Sequence, residues 1–424
     1  MSAFELSVLF FLQLAFILTV CRLVGLVARR FGQPQVVAEM IAGVVMGPSL
    51  LGLLFPGAQA FLFPAASKSI LYAVSQVGLV LYMFLVGLEF DLDLIRNRMR
   101  SAAAVSLSGI LVPMGLGGVL GYYLSHVGGF FTPNTVSWEA MFFTGASMAI
   151  TAFPMLARII RERGLAGTSL GTLALAAGSL DDAAAWCVLA LVLASFSGDP
   201  QIAILAIGGG TLYAVGLLTI GRKPLSILGK MTERAGGVTQ PLLAVTLILT
   251  MLGAWFTDRI GIYAVFGAFI MGAAMPRGRF AREVQQQMEP LVTTFLLPMF
   301  FVYSGLNTRM TLVNTPFLWL VALLALLTAC FGKGIACWAA ARWCGEPPRD
   351  ALAIGTLMNA RGLMELIILN IGLERGIVTP LMFTVMVLMA IVTTLMATPI
   401  FEWGFRRHPE GRWTDARLIK LAVK

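Results

Sequence analysis

Apolar residues occur along the whole chain in runs of about 20, separated by short polar connections. The runs lie near residues 5–28, 35–54, 70–90, 102–124, 138–158, 166–195, 201–220, 238–256, 260–275, 290–306, 315–343, 350–372 and 378–400. At 1.5 Å rise per residue, a run of this length crosses a hydrocarbon layer roughly 30 Å thick. The pattern predicts an all-α polytopic membrane protein with about 13 transmembrane helices. Such a number divides as six, one linking span near 201–220, and six. The odd offset turns the second six upside down, so two inverted repeats are expected.

Two runs are interrupted at matching places in the two halves. The fifth holds Ile150, Thr151 and Pro154, and the twelfth holds Asn359, Arg361, Gly362 and Glu365. Proline lacks a donor and crowds the preceding turn. Interrupted helices at membrane depth are tolerated where the freed backbone lines a cavity. Two broken helices are therefore expected, with Arg361 and Glu365 either neutralising each other four residues apart or serving the site.

Composition removes the soluble classes. Hydrophobic residues fill 58% of the 424 positions and charged residues 12%, against roughly a quarter charged in soluble domains. The mean hydropathy is +0.87. With the N-terminus outside, the cytoplasmic connections contain Arg29, Arg30, Arg96, Arg98, Arg100, Arg158, Arg161, Arg163, Arg222, Lys223, Lys230, Arg234, Arg277, Arg279, Arg282, Arg342, Arg349 and the tail. Lys68, Arg259, Arg309 and Arg375 fall on the other side. This asymmetry predicts N-out, C-in insertion, and the chain is expected in the inner membrane of a prokaryotic cell. The net charge of +9 follows from topology and the anionic inner leaflet, so no nucleic-acid partner is expected. The start of the chain has no basic segment before its first apolar run, so that run is expected to be retained. Five cysteines in or beside spans predict no disulfide framework, and Cys330 and Cys337 read as helix packing rather than a metal site. No cofactor is expected.

The chemistry concentrates in the sixth and eleventh runs. Asp181 and Asp182 stand together in LALAAGSLDDAAAWCVLA (173–190), and Lys333 stands in TACFGKGIAC (328–337). A carboxylate at mid-membrane costs about 2.5–3.5 kcal/mol on insertion scales, and two neighbours repel. Lysine so deep has to pair, and one of the aspartates is its partner. Adjacent carboxylates titrate as a coupled pair, and a dehydrated monovalent cation wants the same oxygens as the proton. Competition for one carboxylate, with alternating access, is sufficient for antiport. Asp182 is taken as the competed carboxylate and Asp181 as the partner of Lys333, an assignment that the residues alone also allow in reverse. Thr151, with nearby carbonyls, is a candidate cation ligand, and so is Ser179, one turn before Asp182, although serine in such helices often bonds its own backbone.

Seven segments in order resemble the second family of monovalent cation–proton antiporters: GQPQVVAEMIAGVVMGP (32–48), FLVGLEFD (84–91), ITAFPMLAR (150–158), GSLDD (178–182), GIYAVFGAF (261–269), FLLPMFFVYSG (295–305) and NARGLMEL (359–366). The last is close to plant cation/proton exchangers. The resemblance implies a transmembrane antiporter domain over about 1–400 and a homodimer. It divides that domain into a scaffold (about 1–100 and 238–310) and a mobile core (about 101–200 and 311–400) that moves as an elevator. It implies that Asp182 binds the ion, that Asp181 pairs with Lys333, and that exchange of Na⁺ for H⁺ is electrogenic. Potassium/proton exchange, electroneutral in some relatives, is the alternative, and a gated channel is the rival class. Residues 401–424 read as a short basic surface anchor, with neither a nucleotide-binding domain nor the long tail of plant exchangers. No carboxylate lies in TAFP (151–154), which leaves the ion open.

Overall fold

The computed structural model describes residues 2–33, 35–89, 99–153, 156, 159, 160, 165, 168–197, 200–261, 263–361 and 363–405. Sixteen helices carry the description: α1 (Ala3–Arg30), α2 (Gln35–Met46), α3 (Ala65–Glu89), α4 (Met99–Val127), α5 (Ser137–Ala149), α6 (Ser169–Ser197), α7 (Pro200–Gly216), α8 (Arg222–Ala235), α9 (Gln240–Arg259), α10 (Ala264–Ala274), α11 (Arg279–Leu291), α12 (Leu297–Leu306), α13 (Pro316–Trp343), α14 (Pro348–Leu357), α15 (Leu363–Glu374) and α16 (Pro380–Phe405). Two short helical segments, Leu51–Leu54 and Pro56–Leu62, join α2 to α3. Among the described residues eight helical stretches are long and apolar enough to cross a membrane. Their outer faces present Phe4, Phe11 and Leu26 of α1, Ile248 and Trp255 of α9, and Phe331 of α13. Such a surface suits lipid, and the chain is a multi-pass membrane protein.

Helix ends follow local chemistry. Ser2 and Glu5 cap α1 reciprocally, with Ser2 N donating to Glu5 Oε2 at 2.6 Å and Glu5 N to Ser2 Oγ at 3.2 Å. Thr315 accepts from Leu318 N at 3.3 Å, and Pro316 takes the first position of α13. Two π-helical turns, Leu217–Gly221 and Val292–Leu296, each precede a proline by two or three residues, Pro224 and Pro298. The missing ladder donors account for the widened turns.

Two connections that read as basic loops are amphipathic helices. α8 buries Leu225, Leu228 and Thr232, and α11 buries Phe280, Val284 and Met288, each set three or four residues apart. Part of the positive charge has a local use: Arg222 Nη2 and Arg277 Nη2 both donate to Ala273 O at 3.2 Å, at the carbonyl end of α10. The predicted tail also starts later, because α16 continues to Phe405; residues 406–424 lie outside the described residues.

Small residues let helices cross at backbone distance. A methyl group on Gly305 of α12 would lie 2.1 Å from the Gly43 carbonyl carbon of α2, and one on Gly272 of α10 would lie 2.2 Å from Phe84 O of α3. The same device joins α4 to α5, where a methyl on Gly145 would meet Met114 O at 2.4 Å, and α13 to α14, where one on Gly355 would meet Gly334 O at 2.5 Å. The connections α4–α5 and α15–α16 are stitched together. Thr132 Oγ1 donates to Gly376 O at 2.5 Å, Thr135 Oγ1 to Ile377 O at 3.0 Å, and Thr379 Oγ1 to Gly129 O at 2.8 Å, around the bridge from Phe131 to Val378.

Candidate ion-binding site

Both predicted interruptions are present. α5 ends at Ala149, and Ile150 is extended with φ −75° and ψ 135°. Ile150 is four residues before Pro154, the position whose carbonyl a proline leaves unserved and crowds. Pro154 itself lies outside the described residues. α14 ends at Leu357 without a proline. Here Asn359 Nδ2 turns back to Gly355 O at 3.4 Å and across to Cys330 O at 3.2 Å, replacing the ladder with side-chain bonds. The breaks cross in contact: Ala152 N donates to Ala360 O at 3.1 Å, a backbone bond between the two interrupted segments.

Lys333 lies at this crossing with no exposed surface. Its ammonium donates to Asp181 Oδ2 at 2.9 Å, to Gly109 O of α4 at 3.0 Å and to Ala149 O, the last carbonyl of α5. An ammonium has three donors, and all three are used. Asp181 Oδ2 accepts a second bond, from Thr151 Oγ1 at 2.6 Å, and Met358 O lies 3.4 Å from the same hydroxyl. Asp181 Oδ1 is buried and has no hydrogen-bond partner among the described residues. The predicted partnership of Lys333 with an aspartate is therefore the geometry seen, and Asp181 is that aspartate.

Arg361 does more than balance Glu365. Its Nη1 donates to Ser147 O at 3.2 Å and its Nη2 to Met148 O at 2.7 Å. Together Lys333 and Arg361 serve the last three carbonyls of α5, the negative end of that half-helix. Glu365 Oε2 stands 3.6 Å from Arg361 Nη1, and neither carboxylate oxygen has a hydrogen-bond partner among the described residues. Thr394 of α16 fixes the Arg361 backbone, accepting from its N–H at 3.3 Å and donating to its carbonyl at 2.7 Å. Ser179 is buried, and its hydroxyl donates to Ala176 O at 2.8 Å, its own helix. Asp182 follows Asp181 in α6; its side chain lies outside the described residues.

Sequence reasoning missed Gly109, Ser147, Met148 and Thr394. Three of them contribute carbonyls, which leave no signature in residue type. Gly109 had a faint one: a methyl there would strike Cys337 Sγ at 2.7 Å, so the close approach of α4 to α13 beside Lys333 suits glycine.

A buried cation–carboxylate pair at the crossing of two interrupted membrane helices defines a membrane transport protein with an ion-handling centre. Residues 15–406 match the family model described as sodium/hydrogen exchanger, transmembrane, and the chain belongs to that family. It is 42% identical over 91% of its length to the Na⁺/H⁺ antiporter NhaS4 of Synechocystis, covering 94% of that protein. It is 32% identical over 93% of its length to the K⁺/H⁺ antiporter 1 of Saccharomyces cerevisiae, and spans about half, 46%, of that longer relative. The sodium proton antiporter MjNhaP1 of Methanocaldococcus jannaschii shares the fold, with TM-score 0.63 over 93% of this chain and 95% of that one, at 15% identity. The protein is thus a member of a cation/proton antiporter family.

Proposed function

We propose that the chain exchanges Na⁺ for H⁺ across the inner membrane, with cation and proton competing for Asp182. The observation that carries this reading is the Lys333 ammonium, whose three donors are all spent, one of them on Asp181, the neighbour of Asp182 in the sequence. Thr151, hydrogen-bonded to Asp181, keeps hydroxyl lone pairs for a cation, and Asp181 Oδ1, without a partner among the described residues, adds another oxygen. A hard monovalent cation prefers such oxygens. When it arrives, the Lys333–Asp181 pair loosens, and the cation cannot bind without disturbing the proton balance of the site.

The mobile core in this reading is α4–α6 with α13–α16, and the scaffold is α1–α3 with α9, α10 and α12; α7 links the two repeats. The bond from Ala152 to Ala360 and the stitched α4–α5 and α15–α16 connections support movement of the core as one body. Two neighbouring aspartates support exchange of more protons than cations, which makes it electrogenic, in a homodimer with N-out, C-in insertion. Potassium is the second reading, favoured by the likeness to the yeast K⁺/H⁺ antiporter and by TAFP (151–154) having no carboxylate.

Dissipation of an imposed pH gradient in proteoliposomes by Na⁺, Li⁺ and K⁺, each added alone, tests the assignment. A response to Na⁺ and Li⁺ alone supports it, a K⁺ response changes the cargo, and silence of folded protein with every ion overturns the exchange reading. A reversal potential that ignores membrane voltage rules out electrogenic exchange.

A further inference from the structure

A second group of oxygen donors lies away from Asp181 and Lys333. Tyr72 is two turns into α3, Tyr303 is in the last turn of α12, Tyr263 precedes α10, and Asn370 and Glu374 belong to the end of α15. With Gln76, Phe300 and Ile367 they line one cavity of about 10 Å³, room for a single water-sized occupant. This end of the bundle is the one opposite α8 and α11, because α11 leads directly into the start of α12 and Gln285 of α11 bonds Glu89 at the far end of α3.

The donor set is chemically uniform. Tyr303 Oη donates to Glu374 Oε1 at 3.4 Å, and the rings of Tyr72 and Tyr303 stand 5.2 Å apart. Asn370 is 7% exposed, and its amide nitrogen is spent on Leu366 O at 2.8 Å and Ser304 Oγ at 3.2 Å. Its carbonyl Oδ1 is buried without a partner among the described residues, on a side chain that lines the cavity. A buried unpaired carbonyl oxygen is costly, and it is relieved by a donor or a cation. Phenolic oxygens, an amide carbonyl and one carboxylate are what a hard monovalent cation accepts, and one carboxylate balances one positive charge. Asp258, at the end of α9, adds negative potential at Tyr72 and Tyr263, and Arg375 opposes it at Tyr263.

We propose that Tyr72, Tyr263, Tyr303, Asn370 and Glu374 form a second monovalent-cation site, a waiting position at the membrane end opposite the amphipathic helices. It sits between α3 and α12 on one side and α15 on the other, the two bodies that the exchange reading sets in relative motion, and it rests on that reading for its role in transport. Occupancy joins the two bodies at this end; departure of the ion lets them separate.

Binding is tested apart from transport. In Asp182→Asn protein the competed carboxylate of the central site is gone, and thermal unfolding in detergent is followed in NaCl, LiCl, KCl and choline chloride at equal ionic strength. The expected result is a cation-specific rise in melting temperature that Glu374→Gln, added to Asp182→Asn, removes, and that Tyr303→Phe weakens. Equal melting in choline and in all three metal salts overturns the site, as does a shift that survives Glu374→Gln. In proteoliposomes, Glu374→Gln is expected to raise the apparent KM for cation three- to tenfold when cation is offered at this face and to leave it unchanged from the other. Exchange missing from the unaltered protein defeats the antiport reading, whereas the melting series decides the site by itself.

Discussion

Lys333–Asp181 and Arg361–Glu365 are both buried cation–carboxylate pairs in one bundle, and both cations end on the carbonyls of α5. Their carboxylates differ. Asp181 is recruited from another helix, 152 positions away, and takes two bonds on one oxygen. Glu365 is one turn from its arginine, at 3.6 Å, and takes none among the described residues. Proximity in sequence thus produced the looser pair. An arginine four residues from a glutamate on a helix is guided to it, yet here Arg361 precedes α15 in the break and its guanidinium is held by the end of α5. The half-helix terminus wins over the local carboxylate because it offers several fixed acceptors in a medium without water.

The largest expected effect lies next to the tighter pair. Asp182→Asn should reduce cation-driven proton flux in proteoliposomes to the level of empty vesicles while size-exclusion behaviour stays normal; surviving flux would remove Asp182 from its role. Lys333→Ala should cost about 3–5 kcal/mol of stability, since it strands a buried carboxylate and two carbonyls. Unchanged thermal unfolding would show the pair to be unimportant to the fold. A double-mutant cycle sharpens the comparison: coupling between Lys333 and Asp181 should exceed about 2 kcal/mol, and that between Arg361 and Glu365 should stay under about 1 kcal/mol. Reversed values would mean that the carboxylate, not the helix end, holds Arg361.

The tighter pair was legible because Asp181, Asp182 and Lys333 stand out from apolar flanks that give them no other partner. The first break was announced by Pro154, and the second by Asn359, Arg361 and Gly362. The acceptors were hidden, since a carbonyl belongs to every residue alike. The helices α8 and α11 had visible periodicity in Leu225, Leu228 and Thr232 and in Phe280, Val284 and Met288. Their arginines and lysines read first as markers of topology. Ser179 shows the opposite case, a polar residue near the site whose hydroxyl is spent on the backbone behind it.

Smaller effects separate the bundle from its surface. Gly305→Ala should cost about 1–3 kcal/mol, because the methyl meets backbone of α2 that cannot step aside; normal melting would mean that the two helices part freely. At the surface, Arg279 Nε donates to Glu283 Oε1 at 2.6 Å, and that hydrogen bond, helped by Val238 N, holds the Glu283 carboxyl below the usual carboxylate range. A lowered folded-state value stabilises above the unfolded pKa of about 4.3 and is lost as pH falls through the folded value. Glu283→Gln should therefore lower the melting point slightly at pH 7 and not at all in strong acid. An equal difference at both pH values would assign the effect to packing.

The stitched seam of Thr132, Thr135 and Thr379 has a consequence for how the polypeptide is divided. Connections between membrane helices are usually where a chain is most easily cut and its pieces drift apart. Here the hinge-like pair Gly128 and Gly129, both at φ 81°, lies beside hydrogen bonds from Thr132 to Gly376 and from Thr135 to Ile377. A peptide bond opened after Thr135, just ahead of α5, would leave Thr132 and Thr135 on one fragment and Gly376 and Ile377 on the other, so both fragments stay fastened to one another across that edge. Two separately expressed fragments meeting at this point should consequently find each other in the bilayer and assemble as one molecule.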